Sequence, residues 1–196
     1  MIAVDIRPAS SFFEPAVHRS GMDVRPAQSH ADVRGAIEVN RTAWREAYAD
    51  ILPESTLPDP EAPLSAESVE GRFDDIENRA ETTFLVACDG DETSDICGFA
   101  EFVWGDGTKE FVSEDAVELR AVYVDPTCWD EGVGTALLAA AADHLPSEKR
   151  SLVTETFAEN EVARRFYEAR GFDAVDEHAF DIDGESYPTV VYEKSL

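Results

Sequence analysis

Between Glu118 and Leu138 the chain changes character twice within twenty-one residues, and no other stretch limits its fold as much. Val122-Tyr123-Val124 is β-branched and aromatic, as a strand requires, and Asp125-Pro126 ends it. Gly132-Val133-Gly134 then frees the backbone before the apolar run from Ala136 to Ala142, which reads as a helix. A strand that passes through a glycine-bearing turn into a helix leaves bare amides at the positive end of the helix dipole. Such an end suits an anion without any cationic side chain. Glycine pairs at these turns often serve only to bring helix and strand together, so the pattern needs a second signal.

The chain has 196 residues, 43% of them hydrophobic, which is enough for one α/β domain with a sizeable core. Its charge is extreme, with 42 acidic against 16 basic side chains and a net charge of −26. The acids are spread over every segment, and only Lys109, Lys149 and Lys194 are lysines. This distribution fits a protein kept soluble in a salt-rich cytosol, where screening shortens self-repulsion to roughly 3 Å at 1 M, and it points to a halophilic source. A field that recruits a cationic substrate is the alternative, although strong salt would screen it. Nucleic acid is not an expected partner, because no basic stripe exists to release counterions. No apolar stretch approaches the ~20 residues of a membrane span and no signal-peptide pattern opens the chain, so a cytoplasmic location is expected. Cys88, Cys97 and Cys128 lack zinc or CxxC spacing. Cys88 and Cys97 could face each other across a hairpin or stand as two reduced thiols. The four histidines share no ligand spacing, and no metal is expected.

Residues 1–21 show little periodicity and read as a flexible extension ahead of a domain over 22–196. A short strand ends at Pro26, and Ser29 or Asp32 caps a helix running to about Asp50 through Val33, Ile37, Trp44 and Tyr48. Four prolines make 52–63 a loop. A second amphipathic helix over 66–79 precedes a hairpin of strands 83–88 and 96–104. The strand through Val124 and the helix from Gly132 lead to a strand at 151–156 and a helix from Asn160 to Arg170, stopped at Gly171. Two last strands are joined by Asp183-Gly184, a hairpin dipeptide. The fold expected is an α/β sheet of six to seven strands, mostly antiparallel, with about four helices and a central parallel pair formed by the fourth and fifth strands.

The second signal is Asn160-x-x-Ala163-x-x-x-Tyr167-x-x-x-Gly171-Phe172, whose first three named residues share one helical face. Together with Trp129-x-x-Gly132-x-Gly134, it resembles the GNAT superfamily of N-acetyltransferases, whose signature is Gln/Arg-x-x-Gly-x-Gly/Ala. The likeness covers residues 22 to about 193 and is strongest from 118 to 172. It implies acetyl-CoA as cosubstrate, with the loop Trp129, Asp130, Glu131, Gly132, Val133, Gly134 and Thr135 cradling the pyrophosphate. It also implies that Val122, Tyr123 and Val124 line the pantetheine arm beside Asn160, Ala163 and Tyr167, where the strands splay. Trp129 departs from the family pattern, and Asp130-Glu131 put carboxylates near the phosphates. These are tolerable if amides do the holding and side chains 129–131 point outward.

The implied reaction moves acetyl from a thioester to an amine. An ammonium of pKa ~10.4 must lose a proton first, and Glu118 on the fourth strand is the candidate base; its alternative is a structural carboxylate. Tyr167 is the candidate acid for the departing sulfur or, alternatively, a core tyrosine. Asn160 either contacts the ligand or caps its helix. Trp44, Tyr48 and Trp104 line an acceptor site or belong to the core. The acceptor implied is a small-molecule or peptide amine, and a homodimer is compatible with the family. A silent module that binds CoA without catalysis is the competing reading.

Overall fold

The structure, a computed structural model, describes residues 22–90 and 95–196. The segment 1–21 and the centre of the polar turn after Cys88 lie outside the described residues. The chain runs β1 (Met22–Pro26), α1 (His30–Tyr48), α2 (Ala66–Asn78), β2 (Thr82–Asp89), β3 (Ile96–Val103), β4 (Ala116–Val124), α3 (Val133–Ala141), β5 (Ser151–Phe157), α4 (Glu161–Glu168), β6 (Asp173–Ile182) and β7 (Glu185–Ser195). One sheet holds the seven strands in the order β1-β2-β3-β4-β5-β7-β6. Every neighbouring pair is antiparallel except β4–β5. This is the mixed sheet with a central parallel pair and four helices expected from the sequence.

Local chemistry accounts for the boundaries. Ser29 caps α1 by accepting from the Asp32 amide, while Asp32 answers the Ser29 backbone to complete a capping box. Asp183 and Gly184, with φ of 52° and 86°, supply the two left-handed residues of the tight β6–β7 turn. Gly98 serves a close approach: a β-carbon there would stand 2.9 Å from a Val133 methyl, so glycine lets α3 lie against β3.

Among the described residues, the two larger of three hydrophobic clusters sit on the two faces. Leu85, Ala100, Phe102, Val117, Leu119, Val122 and Val124 meet α3 and α4 on one. Phe84, Val86, Phe99, Ala121, Tyr123 and Phe157 meet α1 on the other. Leu119 and Val122 share a face although three residues apart, which strand alternation forbids. Arg120 is the extra residue, because Phe102 pairs with Leu119 while the adjacent Glu101 pairs with Ala121. Cys88 and Cys97 fall in different cores on opposite faces, so they do not face each other across the hairpin. All three cysteines are free thiols. No helix among the described residues is long and apolar enough to cross a membrane.

Asp32 also anchors β1 to α1. Its oxygens each take a hydrogen bond of 2.9 Å from Arg25, and Oδ2 accepts from the Gln28 and Ser29 amides. Burial opposes its charge, but the guanidinium and the amides outweigh it and hold the carboxyl below its usual range. A carboxyl with a depressed folded pKa adds stability above its unfolded value, about 4, and loses it as pH falls through the folded value. Asp32→Asn should therefore lower stability by about 2 kcal/mol at neutral pH. Denaturant unfolding of both proteins from pH 7 downward should show the difference shrinking below about pH 4; a constant difference would detach Asp32 from that acid-side loss.

Candidate active site

The parallel pair β4–β5 is joined over only three positions, Ala116, Val117 and Glu118 against Ser151, Leu152 and Val153. Beyond them the strands part, and β5 keeps its other edge paired with β7 along its whole length. The Thr154 hydroxyl donates to the Leu119 carbonyl at 2.9 Å, so a side chain takes over where the ladder stops. Val122, Tyr123 and Val124 lie on β4 beyond the split. Val122 and Val124 send their side chains into the α3 core, while Tyr123 faces α1.

After β4, Asp125 accepts from the Thr127 amide at 2.8 Å and closes a 3-10 turn over Pro126–Cys128. Trp129 points inward, so the outward placement under which residues 129–131 are tolerable does not hold for it. Its indole N–H donates to the Val124 carbonyl at 2.9 Å, and the ring packs against both cores. It satisfies the last carbonyl of β4 with an apolar body, which a Gln or Arg would not supply. Asp130 is exposed at φ 64°, and Glu131 is half-buried. Gly132, at φ 80°, is the N-cap of α3 and offers no side chain to its first amides. Those amides, at Val133, Gly134 and Thr135, have no intrahelical partner and sit beside the gap.

Arg170 completes this corner, and nothing in the local sequence pointed to it. Its Nε and Nη2 donate to the Thr135 hydroxyl at 3.0 and 2.6 Å, while its guanidinium lies 3.7 Å over the Phe166 ring. A cation thus stands at the first turn of α3, partly offsetting Asp130 and Glu131.

On α4, Asn160, Ala163 and Tyr167 are all buried, on one face as their spacing requires. Asn160 Oδ1 accepts from the Ala163 amide at 3.0 Å, which is the capping role. Tyr167 is fully buried among Phe166, Phe172 and Tyr192, and its hydroxyl has no hydrogen-bond partner. Burial pushes this phenol well above its usual pKa, against a smaller opposing influence from Thr154. The Thr156 hydroxyl on β5 is also buried and unpartnered. Two orphaned hydroxyls beside an unzipped strand pair are what a bound polar chain would satisfy.

Glu118 is the last residue of β4 paired with β5. It is 3% exposed, and its Oε2 accepts from Arg120 Nη2 at 2.7 Å and from the Lys109 amide at 3.3 Å. Arg120 also bonds the Gly107 carbonyl, so the pair straps the segment 105–112 over this part of the sheet. Tyr48 is fully buried in the α1 core, with Trp44 packed beside it, and Trp104 lies against the α3 core. A cavity of about 290 Å3 opens on the α1–α2 face, and Glu101, another residue the sequence did not single out, stands in it. Among the described residues no group of three or more His, Cys, Asp or Glu side chains could hold a metal.

Residues 42–172, two thirds of the chain, match the Acetyltransferase (GNAT) family. The chain belongs to that family. Its fold recurs in solved structures at low identity, and no curated protein matches it. The PaiA N-acetyltransferase of Thermoplasma acidophilum, solved with coenzyme A, shares 22% identity at a TM-score of 0.65, covering 90% of this chain and 99% of that one. The ribosomal-protein-alanine N-acetyltransferase of Brucella melitensis shares 21% at 0.64, over 88% and 99%. An N-acetyltransferase of Staphylococcus aureus Mu50 shares 17% at 0.63, over 89% and 98%.

A β-carbon on Gly132 would meet nothing within 4 Å, so the strain of Gly132→Ala comes from the left-handed backbone alone. Stability should fall by about 1 kcal/mol in thermal or denaturant unfolding. A loss within error would show that the turn relaxes freely.

Proposed function

We propose that this GNAT acetyltransferase uses acetyl-CoA to acetylate a primary amine by direct attack in a ternary complex. The parting of β4 from β5 carries the proposal: it opens beside the uncapped end of α3, with the buried, orphaned hydroxyls of Thr156 and Tyr167 next to it. These groups fit CoA. The first-turn amides of α3 would hold the pyrophosphate, with Arg170 nearby, and Trp129, Asp130 and Glu131 would complete the loop around it. The freed edge of β4 from Val122 to Val124 would hydrogen-bond the pantetheine arm, with Asn160 and Ala163 forming the opposite wall. That the Thermoplasma protein of this fold was solved with coenzyme A supports the assignment.

The thioester, when bound, supplies an electrophilic carbonyl carbon and a sulfur leaving group. The chain must then provide a hydrogen-bond donor for the carbonyl oxygen, a proton acceptor for the amine and a donor for the sulfur. The Val122 backbone N–H serves the first role. Glu118 serves the second through a water, since its Oε2 already holds Arg120 and the Lys109 amide. Tyr167 serves the third: the raised pKa keeps its phenol protonated, and it donates to the sulfur as the C–S bond breaks and the C–N bond forms. From the ammonium form, nitrogen loses one proton through the Glu118 water to solvent before attack and a second as the C–N bond forms. Sulfur gains one from Tyr167, which the second proton replaces, so the products are amide, thiol and one released proton. The net charge of −26 suits a salt-rich cytosol, and molar salt is the medium for these assays.

Tyr167→Phe keeps the ring packed against Phe166, Phe172 and Tyr192, so the variant should keep its melting temperature and lose at most about 1 kcal/mol of CoA affinity, the worth of one neutral hydrogen bond. Its kcat should drop tenfold or more. Unchanged turnover in a thiol-release assay would return Tyr167 to a packing role. CoA binding without turnover across an amine panel would favour the silent module, and a preference for ATP or NAD in thermal shift would remove the CoA assignment. Glu118→Gln should abolish the acidic limb of the pH–rate profile; if the limb persists, Glu118 is only the strap of segment 105–112.

A further inference from the structure

The cavity on the α1–α2 face holds a carboxylate that the fold does not use up. Val33, Ala36 and Ile37 of α1 and Phe84, Phe99 and Ala121 of the sheet make its apolar walls, and Asn40, Arg72 and Glu101 are its polar groups. Glu101 is 5% exposed in the middle of β3, directly opposite Ala121, the neighbour of Val122 on β4. Its Oε2 accepts from Arg72 Nη2 at 2.9 Å, but its Oε1 is buried without any partner. The Arg72 guanidinium also lies 5.4 Å over the Phe84 ring, which fixes the ion pair against the cavity wall. An unsatisfied buried carboxylate oxygen is unfavourable unless something donates to it.

We propose that Glu101 Oε1 receives an N–H of the acceptor and that the cavity selects a small primary amine with an apolar body. This rests on the acetyl-transfer reading above. The assignment of class follows from three features. The orphaned atom accepts only, so its ligand must donate. The rest of the lining is apolar apart from Asn40 and the Arg72–Glu101 pair, so the body next to the donor must be apolar too. The volume, about 290 Å3, lies at the lower end of the range for small-molecule pockets, which favours a small acceptor over a peptide segment. Glu101 and Glu118 then divide the work on one face of the sheet. Glu101 binds and orients the amine, and Glu118 takes the proton.

The test measures binding of phenethylamine and of its neutral isostere 2-phenylethanol to the full chain, with and without CoA, alongside steady-state kinetics. The wild type should bind phenethylamine at least tenfold more tightly than the alcohol. In Glu101→Gln the amide nitrogen can replace the free oxygen and would oppose the amine N–H. The KM for phenethylamine should then rise tenfold or more, while the KM for acetyl-CoA and the acidic limb of the pH–rate profile stay. Ile37→Trp, which fills the cavity without touching the ion pair, should abolish amine binding and keep CoA binding. An unchanged amine KM in Glu101→Gln overturns the proposal, as does loss of the acidic limb there, which would make Glu101 the base. A four-residue peptide amine that binds more tightly than phenethylamine overturns the choice of a small acceptor. Amine binding lost in Ile37→Trp, in a protein that binds no CoA, would support the cavity and sink acetyl transfer. CoA binding and turnover of other amines, with no phenethylamine binding in the wild type, would do the reverse.

Discussion

The divergence of two parallel strands after three paired positions governs the rest of this molecule. A central strand that gives up a neighbour leaves amides and carbonyls inside the protein without partners, and each such group is unfavourable by about 1–3 kcal/mol. The fold limits this in three ways. β5 pairs with β7 at every residue from Ser151 to Phe157, so its second edge is complete. Thr154 sends its hydroxyl across to Leu119 at the point of separation, and Trp129 closes the Val124 carbonyl at the far end. The extra residue at Arg120 shifts the phase of β4, so that Val122 and Val124 still reach the α3 core while Ala121 and Tyr123 face α1. What is left open lies between these closures. It is bounded by Tyr167 and Thr156, whose hydroxyls the protein does not satisfy.

Much of this was legible in the sequence because it is encoded locally. Ser29 with Asp32 three residues on, Asp183-Gly184 between two strands, and Gly132 before an apolar run each act within a few residues. The helix boundaries therefore fell close to where these signals placed them, and the face shared by Asn160, Ala163 and Tyr167 followed from helical periodicity. What was not legible connects distant parts of the chain. Arg170 reaches Thr135 across 35 residues, and Arg72 reaches Glu101 across 29. No spacing rule predicts such pairs from one sequence. The same holds for Trp129: outward side chains were the condition for a loop with Asp130 and Glu131 beside phosphates, but the indole N–H turns inward to a carbonyl. The facing cysteines failed because one irregular residue in the hairpin register, between Ala87 and Cys88, sent the two thiols to opposite faces.

The charge distribution takes on a different meaning once the ion pairs are placed. The chain has 16 basic residues for 42 acids, and several of the few cations are committed to carboxylates that are almost wholly buried. Arg25 holds Asp32, Arg72 holds Glu101, Lys109 holds Glu155 and Arg120 holds Glu118, with each acid side chain at 8% exposure or less. Three of these four pairs involve β3, β4 or β5, the strands around the split. Salt separates the two populations of acid. Exposed carboxylates interact over a Debye length, which shrinks to about 3 Å at 1 M, whereas buried pairs are screened far less. A long-range field that draws cations to the surface would therefore fade in molar salt. Recognition of the proposed amine acceptor in such salt would rest on a buried carboxylate with an unused oxygen, held in place by its own arginine. Glu101 meets that condition.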